Sequence, residues 1–296
     1  MKKNIAVLSV ISAGALWGII GIFIRKLSAA GLSAMQISLI RMLVAAPCFT
    51  ASVALADRRS LRIRPKDCLL FVGTGIVSVV LFNICYFYTM IHAQASVAVI
   101  LLYTSPVLIM LLSALIFKEK ITPGKLISLA MTFAGCILVA GLSGSSGLTP
   151  LTLATGLASG FFYGLYTIFG RFALRRYGSM TVTAWTFIFG LIGSLPVGDP
   201  AGTVKTVAEH PSLILWCLGI GIVCTVLPYF LYTAGLSDME SGRAAILVAV
   251  EPMVGAVLGI AAFGESRDIL KLIGIALILA AIILQGLSGV KEEEEK

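Results

Sequence analysis

Charge is what this sequence has least of. Only 12% of its 296 residues are Asp, Glu, Lys or Arg, against 58% hydrophobic, and the mean hydropathy is +1.02. Soluble domains carry about 25% charged residues. A soluble chain of this composition would show water an apolar surface that no single interior could absorb. That excludes a soluble enzyme, and so apolar a chain is not a disordered protein either. Cysteine pattern is missing as well: Cys48, Cys68, Cys85, Cys136, Cys217 and Cys224 lie in or beside apolar stretches and never as CxxC. They read as small buried side chains, not as a disulfide scaffold, a redox pair or a metal site. The apolar runs hold no Asp, and no Ser-His, Cys-His or HExxH arrangement is found, which argues against an intramembrane enzyme. No metal and no cofactor is expected. The 22 Lys and Arg exceed 14 acids by eight, a bias that membrane proteins sort to one side, and not by itself a sign of nucleic-acid binding.

What is present is a succession of long uncharged runs: 4–24, 27–56 (broken only by Arg41), 68–117, 126–170, 177–198, 211–237, 244–264 (broken only by Glu251) and 272–290. A membrane helix needs about 20 such residues. Two runs are too long for one span. The first divides at His92-Ala-Gln94, the second at the Gly-, Ser- and Pro-marked stretch 141–150. The expectation is an all-α integral membrane protein of ten transmembrane helices with short loops. With the N-terminus inside, the inner segments collect Arg58, Arg59, Arg62, Arg64, Lys66, Lys118, Lys120, Lys125, Arg171, Arg175, Arg176 and Arg243, besides the Lys residues at both ends. The outer segments hold Arg25, Lys26, Lys205, Arg267 and Lys271. Both termini are therefore expected in the cytoplasm. The start resembles a signal peptide, but its uncharged core exceeds the usual 7–15 residues, so it is read as the first helix. The tail 291–296, with four Glu, is read as a solvated, mobile end.

The chain also matches itself at an offset of 146 residues. Gly14, Gly18, Phe23 and Arg25 fall on Gly160, Gly164, Phe169 and Arg171, while Tyr86, Pro106, Glu119 and Lys125 fall on Tyr232, Pro252, Glu265 and Lys271. Shared Leu or Ile could be composition, but coincident Pro, Glu and Lys are a repeat signal. The repeats are expected at 1–145 and 146–290. Five helices per repeat is an odd number, so the second enters the membrane from the opposite side. Such inverted repeats are an architecture of secondary transporters, which bind at mid-depth between the repeats and alternate access by rocking.

Arg41 and Glu251 are the full charges deep in spans, a costly placement that usually faces a bundle interior or a water-filled path. Three roles are open for them: a fixed ion pair, proton coupling or substrate contact by Glu251, and snorkelling by Arg41. Pro106, Pro228 and Pro252 each remove a helical donor, as hinges for half-helices or as static kinks. Tyr163 and Tyr166 share a face with Ser159. Tyr229 and Tyr232 share one with Thr225, as do Asn83 with Tyr86 and Ser96 with Tyr103. Polar groups facing lipid would be unsatisfied, so these faces are expected to line a cavity; Tyr88 and Tyr177, nearer helix ends, suit an interfacial belt. Aromatic walls with few charges suit an amphiphilic or aromatic solute. A phosphate carrier would call for clustered Arg or Lys at mid-depth. The four-residue glycine stripes, such as Gly156-Gly160-Gly164, read as close helix packing.

Ala15-Leu-Trp17-Gly18, Arg41-Met-Leu, Pro106 with Phe117-Lys-Glu119, Tyr163-Gly164, Glu251-Pro252 and Phe263-Gly264-Glu265 together resemble the drug/metabolite transporter superfamily, specifically its EamA-like ten-helix members. The resemblance covers both halves. It implies a small-molecule carrier, often an amino-acid exporter, with a cavity lined by helices 1, 3, 4, 6, 8 and 9. That adds Trp17 to the cavity candidates and leaves helices 5 and 10 peripheral or at a subunit contact. Ser105 stands at the place matching Glu251 and Phe187 at the place matching Arg41, so the halves are not chemically equivalent. The expected function is export of amino acids, aromatic or hydrophobic, or related metabolites. Multidrug or nucleotide/sugar-derivative transport is the alternative, and a passive channel or an enzyme belongs to a different class. Expected partners are a small-molecule substrate, the lipid bilayer of the plasma or inner membrane and a coupling proton, without nucleic acid, in a monomer or homodimer.

Overall fold

The computed structural model describes residues 3–93, 95–141, 148–263 and 268–294. The side chains of Ser96 and Phe263, residues 142–147, Gly264 and Glu265, and the side chains of the acidic tail lie outside the described residues. All regular structure among the described residues is helical. Eight helical segments have the length and apolar composition to cross a membrane: α1 (Asn4–Ala29), α2 (Ala34–Leu61), α3 (Pro65–His92), α4 (Val97–Phe117), α5 (Pro123–Ala140), α6 (Pro150–Leu174), α8 (Leu213–Leu236) and α9 (Ser241–Ala262). Two shorter apolar helices, α7 (Ser179–Ser194) and α10 (Ile269–Gln285), lie where the sequence places its seventh and tenth spans. At 1.5 Å per residue the 16 residues of α7 reach about 24 Å, short of a ~30 Å hydrocarbon core. Between α7 and α8 the chain forms a further helix, Pro200–Glu209, where only a short loop is expected. Asp199 caps it by accepting the Gly202 N–H at 3.1 Å, and Pro200 fills its first turn.

The helices pack mainly across the two halves of the chain. In α1–α8, a Cβ on Gly235 would stand 2.9 Å from the Ala6 carbonyl oxygen, so only glycine permits that approach. In α3–α6, the Thr89 and Thr155 hydroxyls are 2.8 Å apart. In α2–α7, Phe49 stacks on Phe187 with centroids 5.4 Å apart. Met110 and Ile246 pack α4 on α9. The Gln285 amide donates to Ser128 Oγ at 3.0 Å between α10 and α5, where Gly135 also faces Gly274. Helices α5 and α10 thus pair with each other.

Several spans are not plain α-helices. α3 widens into π-helix over Gly73–Val80 and α8 over Ile222–Val226, segments that overlap at the 146-residue offset. Ser78 Oγ donates to the Gly73 carbonyl at 2.7 Å and Thr225 Oγ1 to the Ile220 carbonyl at 3.0 Å, both spanning the wider turn. α4 breaks at Tyr103-Thr104, between helical segments ending at Leu102 and starting at Ser105, and α9 breaks at Val248-Ala249. The three prolines lie close to these departures from plain α-helix. Pro106 sits in the first turn of the segment that follows the break in α4, where a missing N–H is not needed; Pro228 follows the π-helical segment within continuous α8, and Pro252 is the third residue of Val250–Phe263. The Val248 carbonyl, which Pro252 leaves without its usual donor, accepts the Glu251 N–H at 3.1 Å.

Candidate functional site

A cavity of about 120 Å³ lies among the spans. α1 contributes Trp17, Ile20 and Ile24; α2 contributes Arg41; α3 contributes Phe82, Asn83, Tyr86 and Phe87. Leu102, Tyr163, Tyr229 and Glu251 come from α4, α6, α8 and α9. A smaller space of about 20 Å³ shares Trp17, Phe82, Tyr163 and Tyr229 and adds Ser78, Val79, Tyr166, Thr167 and Tyr232. Seven expected residues (Trp17, Arg41, Asn83, Tyr86, Tyr163, Tyr229 and Glu251) therefore meet around one cavity, with Tyr166 and Tyr232 beside it.

Asn83 and Arg41 are held from behind. Asn83, 2% exposed, donates through Nδ2 to Ser38 Oγ at 2.7 Å, tying α3 to α2. Arg41 Nε donates to Thr225 Oγ1 at 2.9 Å, and Thr225 is the residue that spans the π-turn of α8. Tyr103 lies at the break of α4, within hydrogen-bonding reach of the Glu251 carboxyl, which projects from the second half of broken α9. Arg41 and Glu251 make no ion pair with each other among the described residues, so the fixed-pair reading does not hold in this conformation. Both charges instead look into the same space.

The aromatic wall is built by mutual packing. Trp17 meets Tyr229 edge-on at 5.1 Å between centroids and Tyr232 at 5.6 Å. Tyr166 and Tyr232 are occupied by bonds to Thr233 and Thr167, both at 2.7 Å, and serve as frame more than as free donors. Ser159 is fully buried, its hydroxyl turned to the Gly156 carbonyl at 2.6 Å, and does not line the cavity. At the place matching Arg41, Phe187 is buried edge-on against Tyr229 at 4.8 Å. Phe82, missed in the sequence, packs on Tyr163 at 5.4 Å and Tyr86 at 5.6 Å. Its place one helical turn before Tyr86 was the available signal. Ser38, one of several hydroxyls in α2, carried none.

A second polar cluster joins helix ends away from the cavity. Glu119, whose side chain is 7% exposed, pairs with Arg171 at 3.1 Å and accepts the Ser241 and Gly242 N–H groups at 2.9 and 3.2 Å. A carboxylate thus caps the N-terminus of α9, where backbone donors and helix dipole both favour it. Arg171 also donates to the Met239 carbonyl at 2.6 Å, and Lys125 pairs with Glu240 nearby.

The profile of the EamA-like transporter family matches the chain twice, at residues 4–141 and 150–287. An uncharacterized inner membrane transporter of Salmonella typhimurium, YicL, is 28% identical over 289 residues, covering 95% of each chain. The threonine/homoserine exporter RhtA of Escherichia coli is 26% identical over 229 residues, covering 77% of this chain and 74% of that one. A crystal structure with 17% identity superposes with a TM-score of 0.76 over 95% of this chain and 97% of the other, a likeness of fold.

Proposed function

Because this chain belongs to the EamA-like transporter family, we propose that it is an inner-membrane carrier that exports amino acids or close relatives, holding them as zwitterions in the cavity between Arg41 and Glu251. One observation carries the reading: opposite charges face one aromatic-walled space without neutralising each other. Thr225 takes the Arg41 Nε–H, and the two terminal amino groups make no hydrogen bond to the protein among the described residues. A guanidinium so presented suits a carboxylate, Glu251 suits an ammonium group, and the Trp17, Tyr163 and Tyr229 rings suit the side chain between them. The resemblance to a threonine/homoserine exporter points to the same chemistry. The volume favours a small metabolite over a multidrug substrate, since sites for drug-sized ligands measure roughly 300–1,000 Å³.

Transport proceeds in this reading by alternating access of two inverted five-helix repeats, with both termini cytoplasmic. The helix pairing supports it. Exchanging the halves turns α1–α8 into α6–α3 and carries α2–α7, α4–α9 and α5–α10 onto themselves. The proposal is tested by counterflow in proteoliposomes, comparing amino acids with their N-acetyl and carboxamide derivatives, each of which removes one charge. Saturable exchange of the parents, with derivatives at least tenfold poorer, is the expected outcome. Derivatives that exchange as well as their parents overturn zwitterion recognition, and flux without counterflow overturns the carrier.

A further inference from the structure

A cleft of about 660 Å³ lies between the α2–α3 connection and the α6–α7 connection and shares no residue with the central cavity. Its walls carry four guanidinium groups, Arg62, Arg64, Arg175 and Arg176, and no acid. A preference of Lys and Arg for one side of a membrane would place such residues in these loops. It would not make them converge on one built cleft.

The cleft is built. Asp67, 3% exposed, sits behind it, pairs with Arg176 and accepts the Tyr177 hydroxyl at 2.7 Å. Tyr177 in turn accepts the backbone N–H of Arg64 at 3.0 Å. The Thr181 hydroxyl and the Trp185 indole N–H donate to the Ser60 and Leu61 carbonyls, both at 3.0 Å. The 58–67 connection is therefore bolted to the start of α7. Asp67 is consumed by Arg176. Arg175 lies over the Phe117 and Phe172 rings at 5.0 and 5.4 Å, which leaves its charge intact. Arg62 and Arg64 are exposed and make no ion pair among the described residues. Three cations facing one space repel one another until an anion joins them. The same segments run directly into apolar side chains turned outward, Leu55 at 89% exposure and Leu69 at 76%.

We propose that this cleft binds the phosphodiester headgroup of an anionic glycerophospholipid, with Arg62, Arg64 and Arg175 on the phosphate oxygens and acyl chains descending past Leu55 and Leu69. Guanidinium forks match phosphate oxygens in pairs, and basic pockets at the ends of membrane helices suit lipid headgroups. The apolar continuation favours an amphiphile over a soluble phosphate.

The test uses the full chain purified in a neutral detergent. A photoreactive phosphatidylglycerol should label the peptides around 55–69 and 172–181 several-fold more than a phosphatidylcholine probe of the same chains. Phosphatidylglycerol should also raise the thermal melting temperature, and R62Q/R64Q/R175Q should lose most of both effects. Labelling spread equally over the other basic loops, such as Lys118–Lys125, overturns the proposal, as does an unchanged response in the triple variant. Equal protection by glycerol phosphate overturns it in favour of a soluble anion. If the triple variant fails to fold, the label map on the unaltered chain decides alone.

Discussion

At the scale of single residues, the most informative positions are those where the two halves differ. Phe187 fills the place of Arg41 and is packed dry against Phe49 and Tyr229. Ser105 fills the place of Glu251 and is buried at the break of α4. One charge of each sign thus remains beside the cavity. Glu251→Gln keeps the shape and removes the exchangeable proton. It should abolish transport driven by a pH gradient while the protein still accumulates in the membrane; undiminished pH-driven flux in proteoliposomes would remove the coupling role. Arg41→Lys keeps the charge but loses the planar fork and the Thr225 bond, so KM should rise about tenfold, equivalent to about 1.4 kcal/mol. An unchanged KM would show that Arg41 does not touch the solute. These residues were legible from the sequence because a charge in an apolar run is conspicuous. Their partners were not: Ser38 and Thr225 are ordinary hydroxyls until the fold brings them to Asn83 and Arg41. The absence of a direct Arg41–Glu251 bond could not be read from depth alone, because depth says nothing of lateral separation.

At the scale of elements, the apolar runs located the spans, but hydropathy is blind to how each is wound. The π-helical segments of α3 and α8 leave no mark in composition, and the breaks in α4 and α9 fall two to four residues before the prolines that signalled them. The widened turn of α3 lies against α7, where the Thr186 hydroxyl donates to Thr74 Oγ1 at 2.7 Å. At Gly75 there is no room for a side chain. A Cβ would stand 2.7 Å from the Gly190 nitrogen and collide with the Thr186 carbonyl oxygen, both of them backbone. Gly75→Ala must therefore part the two helices and should destabilise by roughly 1–3 kcal/mol. Gly21→Ala, with nothing within 4 Å of its Cβ, should not lower stability. Thermal unfolding of the two variants side by side checks the contrast. Equal melting temperatures would mean that the π-segment is not held by this contact.

At the scale of the whole molecule, alternating access requires that contacts closing one end be strong enough to persist and weak enough to release. Single cysteines at Lys120 and Asp268, in a background without the native six, should react with an impermeant maleimide from opposite faces; reaction from the same face would end the inverted arrangement. The Glu119 cluster has the composition of a closure at the first of these ends, since it ties α4, α6 and α9 by one carboxylate. Glu119→Ala would leave two N–H groups of α9 without their acceptor and Arg171 without its carboxylate partner, at a cost on the order of 1–3 kcal/mol. If that cost falls on the closed form alone, the population open at this end rises about tenfold for each 1.4 kcal/mol. Gly242 is a suitable reporter. It is buried, and a Cβ there would meet Met110 and Glu119 only at ordinary contact distances of 3.6 and 3.7 Å. In Gly242→Cys, maleimide should react slowly from the face that reaches Lys120, and adding Glu119→Ala should raise that rate several-fold. The rate at Asp268→Cys should fall in the same double variant, because opening one end of a rocking carrier closes the other. A rise at both positions would show general loosening, not a shift between two states.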